Sequence, residues 1–172
     1  MTGARIEATL DDGMIRAAFQ RVEKLTGDFR PLLKRVGVGL VKTTQERFVT
    51  ATDPAGAAWK GLNPAYAAFK RGPGILREKA MRGGLMGSVT FQVQGPRQVA
   101  IGSNKIYAAI HQFGGVIRPV HGRSLVFKLG KRVVHARRVT IPARPYLGIG
   151  EADKQMIMDQ YAFTMQELLR GA

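Results

Sequence analysis

Apolar residues recur along this chain with two spacings, and the switches between them divide it into elements. The stretch "ARIEATL" (4–10) alternates and predicts a short strand. Asp11 and Asp12 follow as N-cap residues for a helix, their charge favourable beside its first turn. In "MIRAAFQRVEKL", Ile15, Ala18, Phe19, Val22 and Leu25 share one helical face. Gly27 closes that helix and Asp28 is placed to cap a second one, "DFRPLLKRVGVGLVKTTQERFVT", with Pro31 in its first turn. Its buried stripe is expected at Leu33, Val36, Leu40, Thr44 and Phe48. Gly37 and Gly39 weaken it by about 1 kcal/mol each relative to alanine, and either allow close packing or mark a bend.

Residues 51–74 change character. They are rich in Ala, Gly and Pro, hold the lone Trp59, and predict a long irregular connection with a short helix at Pro64 after an Asn63 cap. Ile75 to Met81 predicts one or two helical turns. Leu85 to Gln94 predicts a strand with Val89, Phe91 and Val93 on one face, returning through "GPRQ" into "VAIGSN" as a hairpin. "KIYAAIHQF" predicts a short helix with Ile106, Ala109, Ile110 and Phe113 near one face, stopped by Gly114 and Gly115. Two or three further strands lie in "VIRPV", "SLVFKL" and "RVVHARRVTI", and "PARPYLGIG" is a stiff extended segment. A final amphipathic helix is expected from about Glu151 to Leu169, with Met156, Tyr161, Met165 and Leu168 or Leu169 as its apolar positions. The turns between strands are too short for parallel crossovers. The order therefore predicts an α+β fold: an antiparallel sheet with helices packed on one face, an N-terminal helical pair and a C-terminal helix. The 172 residues suit a single domain over 1–172.

Charge sharpens this picture. The chain carries a formal +15. Between Pro54 and Gly150 sixteen Lys/Arg stand against one acid, Glu78, so the whole excess lies in the middle. Such a surface attracts nucleic acid or an acidic protein partner. The densest part is "KLGKRVVHARRV", with Lys128, Lys131, Arg132, Arg137 and Arg138, preceded by Arg118 and Arg123. Contacts from these side chains to phosphates would be blind to sequence and sensitive to salt. Few aromatics interleave with them, so no base-stacking platform is expected. The plainer alternative is a solvated hairpin or a contact with an acidic neighbour.

The chemistry-bearing residues are few. There is no cysteine, which excludes disulfides, thiolate catalysis and sulfur-ligated metals. His111, His121 and His135 match no metal-ligand spacing. No phosphate-cradling loop occurs, so neither cofactor nor metal is expected. His111 would need a carboxylate to orient it as a general base, and the middle of the chain has almost none. A partly buried or interface histidine is the simpler assignment. Asp53 in "TDPAG" reads as an Asx-Pro turn rather than a catalytic acid. No apolar run approaches the roughly 20 residues that span a bilayer, and the N-terminus lacks the pattern of a secretory signal, so no membrane association is expected.

Three segments in order carry a resemblance: "DPAGAAWKGLNPAYAAFK" with "ILREKAMRGGLMGSV", then "VAIGSNKIYAAIHQFGG", then "GRSLVFKLGKRVVHARRVTIPARPYLG". Together they resemble the phage virion morphogenesis family, which takes in the G protein of Mu-like phages and the tail completion proteins of contractile-tailed phages. The resemblance covers roughly residues 45–150. It departs from the usual pattern at 78–84, where a threonine-glycine pair is more familiar, and at Tyr146, where phenylalanine is. It implies a non-enzymatic virion assembly protein at the tail end or head–tail junction, made in the bacterial cytoplasm. It further implies a homo-oligomeric ring, often of six, that meets the tail tube or sheath and the neck or head-completion proteins, with nonspecific contact to packaged DNA. Under that reading "IYAAIHQFGG" is a structural corner. Trp59, Tyr107, His111, Gln112, Phe113, Gly114 and Gly115 hold it or a subunit interface, with Tyr107 and Phe113 as anchors. Pro142, Arg144, Pro145 and Tyr146 form an arm toward a neighbour, Arg144 pairing with a carboxylate or a carbonyl. The alternatives are a sequence-independent nucleic-acid-binding protein acting through 118–138, and an enzyme centred on His111.

Overall fold

The computed structural model describes residues 4–6, 13–78 and 84–170. Among these, five helices and seven short strands alternate: β1 (Ala4–Ile6), α1 (Gly13–Thr26), α2 (Arg30–Thr50), α3 (Pro64–Ala67), β2 (Val89–Gln94), β3 (Gln98–Ser103), α4 (Ala108–Phe113), β4 (Gly115–Ile117), β5 (Leu125–Leu129), β6 (Arg132–Ala136), β7 (Val139–Ile141) and α5 (Glu151–Arg170). The class is α+β, and every strand pairing is antiparallel.

The strands do not make one sheet. They form a three-stranded sheet in the order β1-β3-β2 and two separate ladders, β4-β7 and β5-β6. The stretch after α4 thus holds four short strands rather than two or three. The reason lies in its pairing: β5 and β6 close on each other through the two-residue turn Gly130-Lys131, while β4 waits for β7 beyond that hairpin. Gly130 has φ +61°, the glycine-first turn geometry that matches the twist of a hairpin. A side chain there would also run into the Phe69 ring, so Phe69 pins the hairpin tip to the 62–78 segment.

α2 is the central element, packed on β2, β3, α5 and, through its N-terminal half, on the core that α1 shares. Leu32, Leu33, Val36, Leu40, Thr44 and Phe48 are buried along it, close to the expected stripe. The stripe also buries Arg47. Gly37 lies against the Phe91 ring and Gly39 against Met156, with no room for a Cβ at either, so both glycines serve close packing. Asp28 does not occupy the cap position, which falls to Phe29; its carboxylate instead accepts the Arg30 N–H at 2.9 Å.

Two buried clusters result. One gathers Ile15, Val22, Phe29, Leu32, Leu33, Val36, Leu40 and Ile157 among α1, α2 and α5. The other gathers Phe48, Trp59, Leu85, Val89, Ala108, Tyr146 and Leu147. Each large side chain fully buried in this way contributes about 1.5–3 kcal/mol.

Several expectations shift by a turn or a face. The strand expected from Leu85 begins at Val89, because Met86–Ser88 form a 3₁₀ turn that Ser88 Oγ closes on the Leu85 carbonyl at 2.7 Å. Residues 75–78 are a turn, not a helix, with Leu76 at φ +55°. The rest of that predicted helix (79–81), the strand residues 7–10 and the caps Asp11 and Asp12 lie outside the described residues. α4 buries Ala108 and Gln112, whereas Ile106 and Phe113 are 77% and 64% exposed. α5 buries Asp153, Ile157 and Thr164, and its Met156, Tyr161, Met165 and Leu168 are only half-buried. In α4 the polar Gln112 takes the inward position because the backbone it meets offers N–H and C=O groups, and in α5 Asp153 does so because Arg47, Thr43 and the Gly150 N–H converge on it.

Candidate functional site

The 142–150 segment threads between α2, α4 and the 59–61 stretch, and polar side chains satisfy its backbone. Gln112 Oε1 accepts the N–H groups of Tyr146 and Leu147, both at 3.0 Å, and its Nε2 donates to the Leu147 carbonyl at 2.9 Å. Trp59 Nε1 donates to the Pro145 carbonyl at 2.8 Å. Arg144 donates to the carbonyls of Lys60 and Gly61 at 2.9 and 3.0 Å, and its own N–H bonds the His111 carbonyl at 2.8 Å. Tyr146 is fully buried against Phe48, which also meets Trp59 edge-on. Burial pushes the Tyr146 phenol pKa up. The segment expected to reach out as an arm is therefore folded into the body of the chain. Arg144 pairs with carbonyls rather than a carboxylate.

Arg47 completes this interior. It donates to the carbonyls of Tyr146 and Gly148 at 2.9 and 3.1 Å and pairs with Asp153, which is wholly buried. Asp153 also accepts the Gly150 N–H at 2.7 Å, the return half of a capping box at the start of α5, and the Thr43 hydroxyl at 2.5 Å. Sequence reasoning passed over this pair. The available signal was spacing: Arg47 falls three residues after Thr44 on the buried stripe, and Asp153 three residues after a glycine that starts a helix.

The α4 corner carries the histidine. Gly114 has φ +70°, and a Cβ there would stand 2.7 Å from Ala143 N, so backbone meets backbone at the stop. Tyr107 and His111 meet edge to face with ring centres 6.0 Å apart. Phe113 points to solvent and does not anchor the corner. His111 Nδ1 is buried without a hydrogen-bond partner among the described residues. Burial first, then the nearby Arg144 charge, pushes the His111 pKa down. Asp53 accepts the N–H groups of Ala55 and Ala57 at 2.9 Å each, as an Asx turn.

Beside this corner opens a cleft of about 700 Å³. The hairpin lines it with Phe127, Lys128, Leu129 and Val134; the 62–78 segment with Tyr66, Arg71, Leu76 and Arg77; the corner with Tyr107, His111, Pro142 and Arg144. Of the expected basic contacts only Lys128 falls on its wall, and strand alternation turns its side chain to the hairpin face opposite Phe127 and Val134. Arg118, Arg123, Lys131, Arg132, Arg137 and Arg138 are exposed elsewhere on the ladders. Exposed apolar residues accompany them: Val116, Ile117, Val120, Val126 and Val133. Cross-strand pairing puts Val126 opposite His135 and Lys128 opposite Val133 on one hairpin face. Among the described residues no group of His, Cys, Asp and Glu gathers as metal ligands, and no helix is long and apolar enough to cross a membrane.

Protein G of Escherichia phage Mu, named for capsid assembly, is 27% identical over 168 residues, 96% of this chain and 97% of its own. The Mu-like prophage FluMu G protein 2 of Haemophilus influenzae is 27% identical over 156 residues, 91% of this chain and 92% of its own. No solved structure matches the chain. Residues 10–166 match the phage virion morphogenesis family, and the chain belongs to that family.

Proposed function

We propose that this protein is a non-enzymatic virion assembly component acting at the tail end or head–tail junction, working as a ring of copies, six being the expected number. The observation that carries the reading is the family match over residues 10–166, which takes in both terminal helices as well as the ladders. The surface supports it. Residues 115–141 expose apolar side chains beside exposed cations, a combination that suits a face covered on assembly. The interior supports it too, because His111 has Arg144 as its charged neighbour where a general base needs a carboxylate.

A second reading, sequence-independent nucleic-acid binding, has one favourable observation: six exposed Lys/Arg on or beside the ladders, at 118, 123, 131, 132, 137 and 138. It predicts duplex affinity that falls steeply with salt.

Electron microscopy of lysates from a phage or prophage with the gene disrupted separates these readings. Filled heads beside unjoined tails, above all tails of irregular length, are the expected result. Unfinished heads beside normal tails would move the protein to the head side, as the name of the Mu relative suggests for that protein. Normal infectious particles would remove the assembly role.

A further inference from the structure

The cleft has the makings of a recognition site that neither ring formation nor DNA contact requires. Its volume is in the range of ligand-binding clefts. Both of its sides are held in place. Lys70 Nζ donates to the Arg77 carbonyl at 2.6 Å and to those of Arg71 and Gly72 at 3.4 Å, closing the 70–78 loop around itself. Phe69 under Gly130 ties the hairpin tip to the same segment. A site ordered before binding loses less entropy on binding.

The lining chemistry narrows the occupant. Lys70 and Arg144 are turned to backbone carbonyls and are not available as a phosphate clamp. Arg71 and Arg77 on the loop have no carboxylate within ion-pair distance among the described residues. Between these cations lie Tyr66, Tyr107, Leu76, Phe127 and Val134, and a single acid, Glu78. Nonspecific duplex binding uses exposed cations without an apolar lining. Two loop cations facing an aromatic and aliphatic lining match a chain segment with an apolar side chain beside carboxylates.

We propose that this cleft docks an extended acidic segment of a partner protein. A large apolar side chain enters against Phe127 and Tyr66, and flanking carboxylates reach Arg71 and Arg77. The inference stands apart from ring size and from which end of the virion the protein serves.

The test is selection of a random twelve-residue peptide display library on the full chain, followed by fluorescence anisotropy with the enriched peptides. Sequences with Asp or Glu bracketing an aromatic or leucine are expected. Arg71→Glu with Arg77→Glu should weaken them about tenfold or more, the loss of roughly one charged contact or better. Phe127→Ala should do the same, and tests the cleft from the hairpin should the loop variant unfold. Arg137→Glu with Arg138→Glu, outside the cleft, should change binding less than about threefold. A 24-base-pair duplex should not displace the peptide. The proposal fails if no such consensus emerges, or if the enriched peptides bind the cleft variants and the chain equally. It also fails if duplex displaces peptide and loses affinity with the same loop substitutions, which would make the cleft a nucleic-acid site. Gene-disruption microscopy does not depend on any of these outcomes, so the two readings fail separately.

Discussion

The interior around Arg47 and Gln112 and the face formed by residues 115–141 treat polar and apolar groups in opposite ways. In the interior, buried polar side chains are matched to carbonyls and N–H groups of the 142–150 segment. On the ladders, valines and cations face outward together, and the β5-β6 hairpin meets the body chiefly at Phe69 and the cleft. A two-stranded ladder alone is marginal in water. The contrast teaches that the first region is built for folding, whereas the second is the face to which the proposed contacts fall, so substitutions in each should report on different measurements.

The largest effect on that contrast should come from Arg47→Ala. It strands a fully buried Asp153 and should cost about 3–5 kcal/mol, read as a lower urea midpoint with little change in slope. Replacing both partners, Arg47→Met with Asp153→Leu, should recover a large part of the loss; failure to recover would mean that the carbonyl contacts matter more than the ion pair.

Gln112→Ala comes next. It leaves the Tyr146 and Leu147 N–H groups and the Leu147 carbonyl unmet, at about 1–3 kcal/mol for each buried group that water cannot reach. Thermal unfolding should show it. An effect below about 1 kcal/mol would mean that water replaces the glutamine and that the corner is looser than its geometry.

Two glycines sharpen the packing side. Gly37→Ala presses on the Phe91 ring in a sheet and should destabilise by about 1–3 kcal/mol. Gly39→Ala presses only on the flexible Met156, and its helix-propensity gain of about 1 kcal/mol should offset much of the clash. Equal effects would argue against the difference drawn between ring and thioether.

On the outer face, Val126→Asp with Val133→Asp should leave the unfolding midpoint of the isolated chain within about 0.5 kcal/mol while removing self-association or complementation of a disrupted phage. A large loss of stability would show that the hairpin face is part of the fold after all.

The smallest expected effect is the pH slope from His111. Its folded pKa is lowered, so the unfolded chain binds the proton more readily. Stability should therefore fall as pH drops through about 6.5 toward the lower folded value, and be complete above it. His111→Gln should flatten that part of the curve; an unchanged slope would assign it to other groups.

Much of the α+β order was legible. The spacing of Ile15, Ala18, Phe19 and Val22, the Asn63-Pro64 start, and the "GPRQ" hairpin all translate local periodicity or turn chemistry into backbone. The stripe of α2 was legible for the same reason. The face of α4 was not, because Gln112 rather than Ile106 and Phe113 turns inward, and the partners that call it inward lie 34 and 35 residues away. The stiff "IPARP" segment looked like an arm because proline rigidity is local, whereas Trp59, Lys60 and Gly61, which hold it down, are remote in sequence.

The sequence by itself determined the element order, the concentration of charge between Pro54 and Gly150, and the resemblance that led to the family. These depend on neighbours in the chain or on simple sums over it. Only the tertiary structure decided that the strands split into three sheets, that Arg47 and Asp153 meet inside, and that two distant segments enclose a cationic, apolar cleft. The physical reason is that a buried polar group is settled by whichever backbone lies opposite it, and periodicity along one element carries no information about that opposite partner.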